Sequence, residues 1–145
     1  MSDLNYKFLN AKNAFKSLEV AYRYYSIELD KLSLSSDLEL KKINRDSVIQ
    51  RFEYTVELTW KLLFDFVKQK HFIEDIVPSP KSVLRTALTI KLLTEEETEQ
   101  ALGMINDRNL TSHMYKEELA EGLMSKIQTY IKLLKKIITQ VEQEL

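Results

Sequence analysis

Two glycines and two prolines are all that punctuate this chain of 145 residues, and that scarcity restricts the fold more than any other feature. Tight turns draw on glycine and helix interruption on proline, so few elements are expected, each of them long. Both prolines fall in Val77-Pro78-Ser79-Pro80. Ser79 followed by Pro80 is the order of a helix start, a cap and then proline at the first helical position.

Apolar spacing identifies those elements as helices. Leu4, Phe8, Ala11, Phe15, Leu18, Tyr22, Tyr25 and Leu29 alternate by four and three, which puts them on one stripe of a helix running to about Lys31. Ser33, Ser35, Ser36 and Asp37 then read as a polar break, Leu38 to Ile43 as a short turn, and Asp46 as the cap of a second long helix. That second helix carries Ile49, Phe52, Val56, Thr59, Leu63 and Phe66 on one stripe and Tyr54, Leu58 and Leu62 on a neighbouring one. A helix apolar over so wide an arc needs partners on more than one side. Arg51, Glu53, Glu57 and Lys61 form its charged edge, with Glu57 and Lys61 in the favourable order for an ion pair.

Beyond the prolines, Val83, Leu84, Ala87 and Leu88 supply the buried face of a short helix. Thr94 and Glu97 then make a capping box, and the helix they open carries Leu102 and Ile105 inward and ends near Asp107 to His113. Leu123, Ile127, Tyr130, Leu134, Ile137 and Val141 repeat the four-and-three spacing in a last helix. The expected fold is all-α: an up-and-down four-helix bundle of long helices with one or two short extra helices, residues 1–145 forming a single domain. A sustained coiled coil fits less well with the proline break and the short loops.

Charge and composition narrow the function. With 21 basic and 22 acidic side chains the net charge is −1, so no global field draws the chain to nucleic acid or anionic lipid. The absence of cysteine excludes disulfides, thiol catalysis and thiolate zinc sites. Two histidines make a histidine-rich metal site improbable, and no cofactor is implied. No apolar run approaches the length of a membrane span and the first residues do not read as a signal peptide, so a cytoplasmic location without membrane attachment is expected.

Reactive side chains concentrate in Arg108-Asn109-Leu110-Thr111-Ser112-His113-Met114-Tyr115, an R-x4-H-x-Y element. Residues five apart in a continuous helix diverge by about 140°, so Arg108 and His113 can converge only if a helix ends between them. The acids of Lys116-Glu117-Glu118 suit the first turn of the last helix, whose amino terminus would offer amide donors to a phosphate. The plainer alternative pairs Arg108 with Asp107 or a nearby Glu, bonds His113 to a loop carbonyl and half-buries Tyr115. Asn109 can orient Arg108 or His113, or cap the departing helix. His71, after Lys68 and Lys70, reads as a cation favoured at a helix end. Trp60, Tyr22, Tyr24 and Tyr25 fit a core or subunit interface better than a nucleobase pocket, and Lys126, Lys132, Lys135 and Lys136, diluted by Glu142 and Glu144, read as a solvated face.

Asp107 to Tyr115, together with Phe52-Glu53, Glu57-Leu58-Thr59-Trp60-Lys61 and Ser79-Pro80, resembles the HEPN superfamily. Within it the chain is most similar to the nucleotidyltransferase substrate-binding-protein family, over most of its length and most clearly from Asp46 onward. The resemblance implies a homodimeric bundle that binds a separately encoded minimal nucleotidyltransferase, as a split enzyme or a toxin–antitoxin pair. HEPN toxins of the HepT type are similar in carrying the same motif, and act as metal-independent ribonucleases. By that resemblance Arg108 and His113 would be the catalytic pair, Arg108, Asn109 and His113 would hold a phosphate of nucleotide or RNA, and Tyr115 would accept adenylate.

Metal-free RNA cleavage needs a base, an acid and a cation. One chain supplies one motif histidine, so the activity would require a twofold dimer. The chain lacks the Gly-Ser element and paired aspartates of a nucleotidyltransferase and needs a partner for that chemistry. The partner-subunit reading ranks first and the ribonuclease second. A structural adaptor without chemistry, indifferent to changes at Arg108 and His113, is the third.

Overall fold

The computed structural model describes residues 3–32 and 38–145, the side chains of 28–32 excepted. The polar break at Ser33 to Asp37 and the side chain of Leu29 lie outside the described residues. Six α-helices follow in order: α1 (Asp3–Leu32), α2 (Leu38–Lys70), α3 (Pro80–Thr89), α4 (Glu95–Asn109), α5 (Glu117–Met124) and α6 (Ile127–Gln143), with a 3-10 turn at Thr111–His113 between α4 and α5. The architecture is the expected all-α bundle. α1, α2, α4 and α6 are its long members, and α3 and α5 the short ones.

The α1 stripe faces the core as its spacing requires, Leu4, Phe8, Ala11, Phe15, Leu18 and Tyr25 all being buried. α1 and α2 run antiparallel, for Lys7 pairs with Asp65 while Ser17 meets both Arg51 and Tyr54. α4 and α6 also run antiparallel, joined by Lys136 to Glu97 and by Tyr130 to Asp107. Phe52, Leu62, Leu63 and Phe66 of α2 lie among Leu18, Leu84, Leu123, Leu134 and Ile137, all fully buried. Each contributes about 1.5–3 kcal/mol by leaving water. α2 is the central helix, one of the two roles, with a face in a dimer interface, that its wide apolar arc allows.

The predicted caps of α3 and α4 are present. Ser79 Oγ accepts from the Ser82 amide, with Pro80 in the first turn. Thr94 Oγ1 accepts from the Glu97 amide at 3.1 Å while Glu97 returns a carboxylate oxygen to the Thr94 amide at 2.9 Å. Leu88 and Leu102 are only partly buried, and Tyr54 is exposed with its hydroxyl 3.3 Å from Ser17.

Two boundaries differ from expectation. α2 is continuous from Leu38 to Lys70, so Asp46 is no cap. It sits inside the helix, its carboxylate 3.3 Å from Arg45 Nε, because no glycine or proline between Leu38 and Asp46 stops the helix. The last helix is divided in two. Ser125 Oγ bonds the Gly122 carbonyl at 2.7 Å, the Lys126 amide reaches back only three residues to Leu123, and the Lys126 ammonium meets Asp107 at 2.9 Å. Lys126 keeps a near-helical backbone (φ −108°, ψ −8°), so Leu123 and Ile127 both stay buried across the break.

Candidate functional site

α4 ends at Asn109, between Arg108 and His113, as convergence requires. The chain then winds one 3-10 turn in which Thr111 Oγ1 donates to the Arg108 carbonyl at 2.8 Å and the His113 amide donates to Leu110 at 2.9 Å. Met114 is buried and pins the turn to the bundle, while His113 and Asn109 are exposed and Tyr115 is 75 % exposed. Of the two readings of the motif, the one that half-buries Tyr115 is not adopted, because Met114 takes the inward position. α5 opens at Glu117 without a side-chain cap.

The motif divides into two contacts. His113 and Tyr115 lie side by side, ring centres 6.4 Å apart. Arg108 turns onto α2, its Nε 3.4 Å from Glu57 Oε2. Glu57 also accepts from the Trp60 indole at 3.1 Å and pairs with Lys61 at 3.2 Å. Burial pushes the Glu57 carboxyl up, but the hydrogen bonds from Trp60 and Lys61 and the charges of Lys61 and Arg108 prevail and hold it below its ordinary value. Asp107 does not pair with Arg108. It accepts from the Tyr130 hydroxyl at 2.6 Å and forms an ion pair with Lys126. Burial, then the Asp107 hydrogen bond, raise the Tyr130 phenol. Among the described residues Asn109 bonds to neither Arg108 nor His113, and the last turn of α4 is closed instead by the Leu110 amide on Asp107 at 3.1 Å.

A groove of about 450 Å³ separates the motif turn from the first half of α2. Tyr115, Thr111 and Met114 form one wall and Lys42, Ile43, Ile49 and Gln50 the other. Beneath it lies a group that sequence reasoning missed. Arg45, 4 % exposed, grips Glu117 with both terminal nitrogens at 2.6 and 3.2 Å and reaches Glu121 at 3.1 Å. These bonds raise the Arg45 guanidinium, hydrogen bonding to Glu117 outweighing burial, and Arg45 in turn lowers the Glu117 carboxyl. The only signal in the sequence was Arg45 itself, a charged residue three before Val48 and four before Ile49 on their apolar face. The groove rim carries four acids, Glu39, Asp46, Glu53 and Glu117, against Lys42 and Arg45.

The other candidates are quieter. His71 Nε2 lies 3.3 Å from Glu144 and its ring meets Phe66 edge-on. Tyr25 is buried, Tyr22 and Trp60 are partly buried, and Tyr24 is exposed. No group of three or more His, Asp or Glu among the described residues is placed to hold a metal ion.

Residues 6–143 match the model of a family described as nucleotidyltransferase substrate binding protein like. A crystal structure of a Thermus thermophilus protein is 34 % identical, with a TM-score of 0.72 over 90 % of this chain and 98 % of that one. A Haemophilus influenzae protein, described as having the fold of a substrate binding domain of a nucleotidyltransferase, is 23 % identical, with a TM-score of 0.80 over 93 % and 98 % of the two chains. A Shewanella oneidensis HEPN toxin, tri-AMPylated and in complex with its MNT antitoxin, is 18 % identical, with a TM-score of 0.69 over 99 % and 100 %. No curated protein matches the chain.

Proposed function

This chain belongs to the nucleotidyltransferase substrate binding protein like family, and from that premise we propose that it is the partner subunit of a separately encoded minimal nucleotidyltransferase. Residues 1–145 act as one HEPN-like domain in the cytoplasm, with the groove between α2 and the motif turn as the face presented to that enzyme. The observation that carries this reading is Tyr115, 75 % exposed on the groove wall beside His113. A phenol so placed is accessible to a transferase carrying a nucleotide, and an acceptor of adenylate must be accessible. The Shewanella relative, described as an AMPylated toxin with its antitoxin, supports a toxin–antitoxin setting.

The ribonuclease reading remains second. His113 is exposed with no side-chain hydrogen bond among the described residues, as a free acid–base group would be. A second copy is needed to complete that site, and a surface for it adjoins the groove. Tyr54 of α2 meets Ser17 of α1, and on this same face Val20, Tyr24, Ile27 and Ile43 are all exposed. Charge argues against the ribonuclease: the groove rim is acidic and Arg45 is consumed by carboxylates. An acidic rim repels phosphate.

The deciding experiment expresses the chain alone, as wild type and His113→Ala, then with the nucleotidyltransferase. Cell growth, RNA cleavage in chelator and the mass of Tyr115 peptides are read. The expected outcome is harmless expression, intact RNA and adenylate on Tyr115 only when enzyme and ATP are present. Growth arrest and cleavage abolished by His113→Ala would establish the ribonuclease instead.

A further inference from the structure

The α2 wall of the groove is one helical face. Glu39, Asp46, Ile49 and Glu53 recur at steps of seven, three and four, which stacks them along a single stripe about 21 Å long. Facing it stands the motif turn, with Met114 buried and Tyr115 exposed. The enclosed volume of about 450 Å³ falls among those of small-molecule sites. Ile43, 63 % exposed, forms an apolar bed with Ile49 and Met114. Gln50 stands exposed on the same wall and is the one side-chain amide among the described lining residues. Both cations are matched by acids. Lys42 lies 3.9 Å from Glu39 and 3.8 Å from Glu117, and Arg45 is held by Glu117 and Glu121. Glu53, half-buried, has no cation among the described residues.

That lining refuses one kind of ligand and suits another. Four carboxylates against two matched cations repel a polyphosphate. A nucleoside stripped of its polyphosphate meets a partner for each of its parts. Ile43, Ile49 and Met114 pack on the faces of a base, and carboxylates accept from ribose hydroxyls. A glutamine amide makes paired hydrogen bonds with N6 and N7 of adenine, a donor beside an acceptor, whereas guanine offers acceptors at both O6 and N7. Tyr115 is itself a groove wall, so a group attached to its hydroxyl begins at the groove's edge. Lys116 carries its ammonium 6.0 Å from the Tyr115 ring centre, placed to attend a single phosphodiester charge.

We infer that the groove is a nucleoside site, that it receives the adenosine of an adenylate carried on Tyr115, and that Gln50 selects the base. This rests on the reading of Tyr115 as the acceptor, and adds where the product lies and what sets its identity. The transfer joins Tyr115 Oη to the α-phosphorus of ATP and breaks the bond from that phosphorus to the oxygen bridging to the β-phosphate. Pyrophosphate leaves, and the phenolic proton passes to solvent. The product keeps one phosphodiester charge in place of a triphosphate, so the acidic rim that repels the donor nucleotide admits the nucleoside once it is attached. The docked adenosine lies against α2, shielded from solvent.

The site is tested first without any transferase, by titrating adenosine, guanosine and AMP into the isotope-labelled full chain and following its amide resonances. Adenosine is expected to move the amides from Ile43 to Glu53 and from Thr111 to Tyr115, and to bind about tenfold more tightly than guanosine. AMP binds no more tightly than adenosine. Gln50→Ala weakens adenosine about tenfold, and Gln50→Arg turns the preference toward guanosine. Gln50 is exposed within α2 and both replacements favour helix, so the fold is kept. The chain is then adenylated by the nucleotidyltransferase with ATP and digested with a phosphodiesterase, which is expected to release AMP about tenfold faster from Gln50→Ala than from wild type. Adenosine that moves no groove amide overturns the inference, and so does AMP that binds more tightly than adenosine. If Tyr115 is never adenylated while adenosine still fills the groove, the proposed function fails and the nucleoside site stands. If Tyr115 is adenylated while Gln50→Ala changes neither binding nor release, the site fails and the proposed function stands.

Discussion

Arg45 and Arg108 border the same motif turn, one from α2 and one from α4, and the protein uses them in opposite ways. Arg45 is buried, and among the described residues its side chain pairs with the carboxylates of Asp46, Glu117 and Glu121. Among the described residues the Arg108 guanidinium keeps one ion pair, 3.4 Å to Glu57, on a side chain 28 % exposed. The first arginine is spent on joining α2 to α5 and so fixes where Tyr115 stands. The second retains terminal nitrogens that no protein group occupies among the described residues, and can receive an anion. Under the proposed function, two identical side chains would divide positioning from binding, with burial deciding which does which.

The largest test of that division is Arg45→Met. It keeps the apolar stem and removes the clamp, and is expected to cost about 2 kcal/mol, with amide exchange rising in α5 and in the turn at Thr111–His113. Equal exchange in that turn would mean that Arg45 does not position Tyr115. Glu97→Ala gives a yardstick of ordinary size. It opens the capping box and frees Lys136, for an expected loss of about 1 kcal/mol. Arg108→Gln should fall below both, at roughly 0.5 kcal/mol, because its ion pair is partly solvated, while adenylate transfer to Tyr115 drops. A stability loss as large as that of Arg45→Met, with transfer intact, would erase the distinction.

Acid should show the smallest difference. Glu117 is held below its ordinary carboxyl value chiefly by Arg45, and Glu97 by Lys136 and the Thr94 cap against the opposing effect of burial. A carboxyl lowered on folding contributes stability that is present above its unfolded value, 4.5, and is lost as pH falls through the folded one. Thermal melts from pH 6 to 3 should therefore decline below about pH 4.5, and the decline should be shallower in Arg45→Met, which has already lost the Glu117 share.

The same contrast explains what could be read from the residues in advance. Helix stripes and caps were legible because periodicity and local hydrogen bonding are properties of neighbouring residues: the α1 stripe, Ser79 with Pro80, and Thr94 with Glu97 all stand where spacing put them. The Glu57–Lys61 pair, four residues apart, was legible for the same reason. Asp46 misled because a capping residue also serves inside a helix when a neighbouring cation takes its carboxylate. The break at Ser125 and Lys126 was hidden because it leaves Leu123 and Ile127 in phase. Arg45 and Glu117 are 72 residues apart, and the Arg108–Glu57 contact joins α4 to α2, so neither was visible as local spacing. Tyr115 was identified as a residue type, but its exposure follows from Met114 turning inward.

Trp60 is the only tryptophan in the chain, and its indole donates to the carboxylate that holds Arg108. The protein therefore carries its own optical probe two contacts away from the motif, with Glu57 between them. When an anion draws Arg108 off Glu57, the charge balance beside the indole changes, and the emission wavelength should follow without any label being attached.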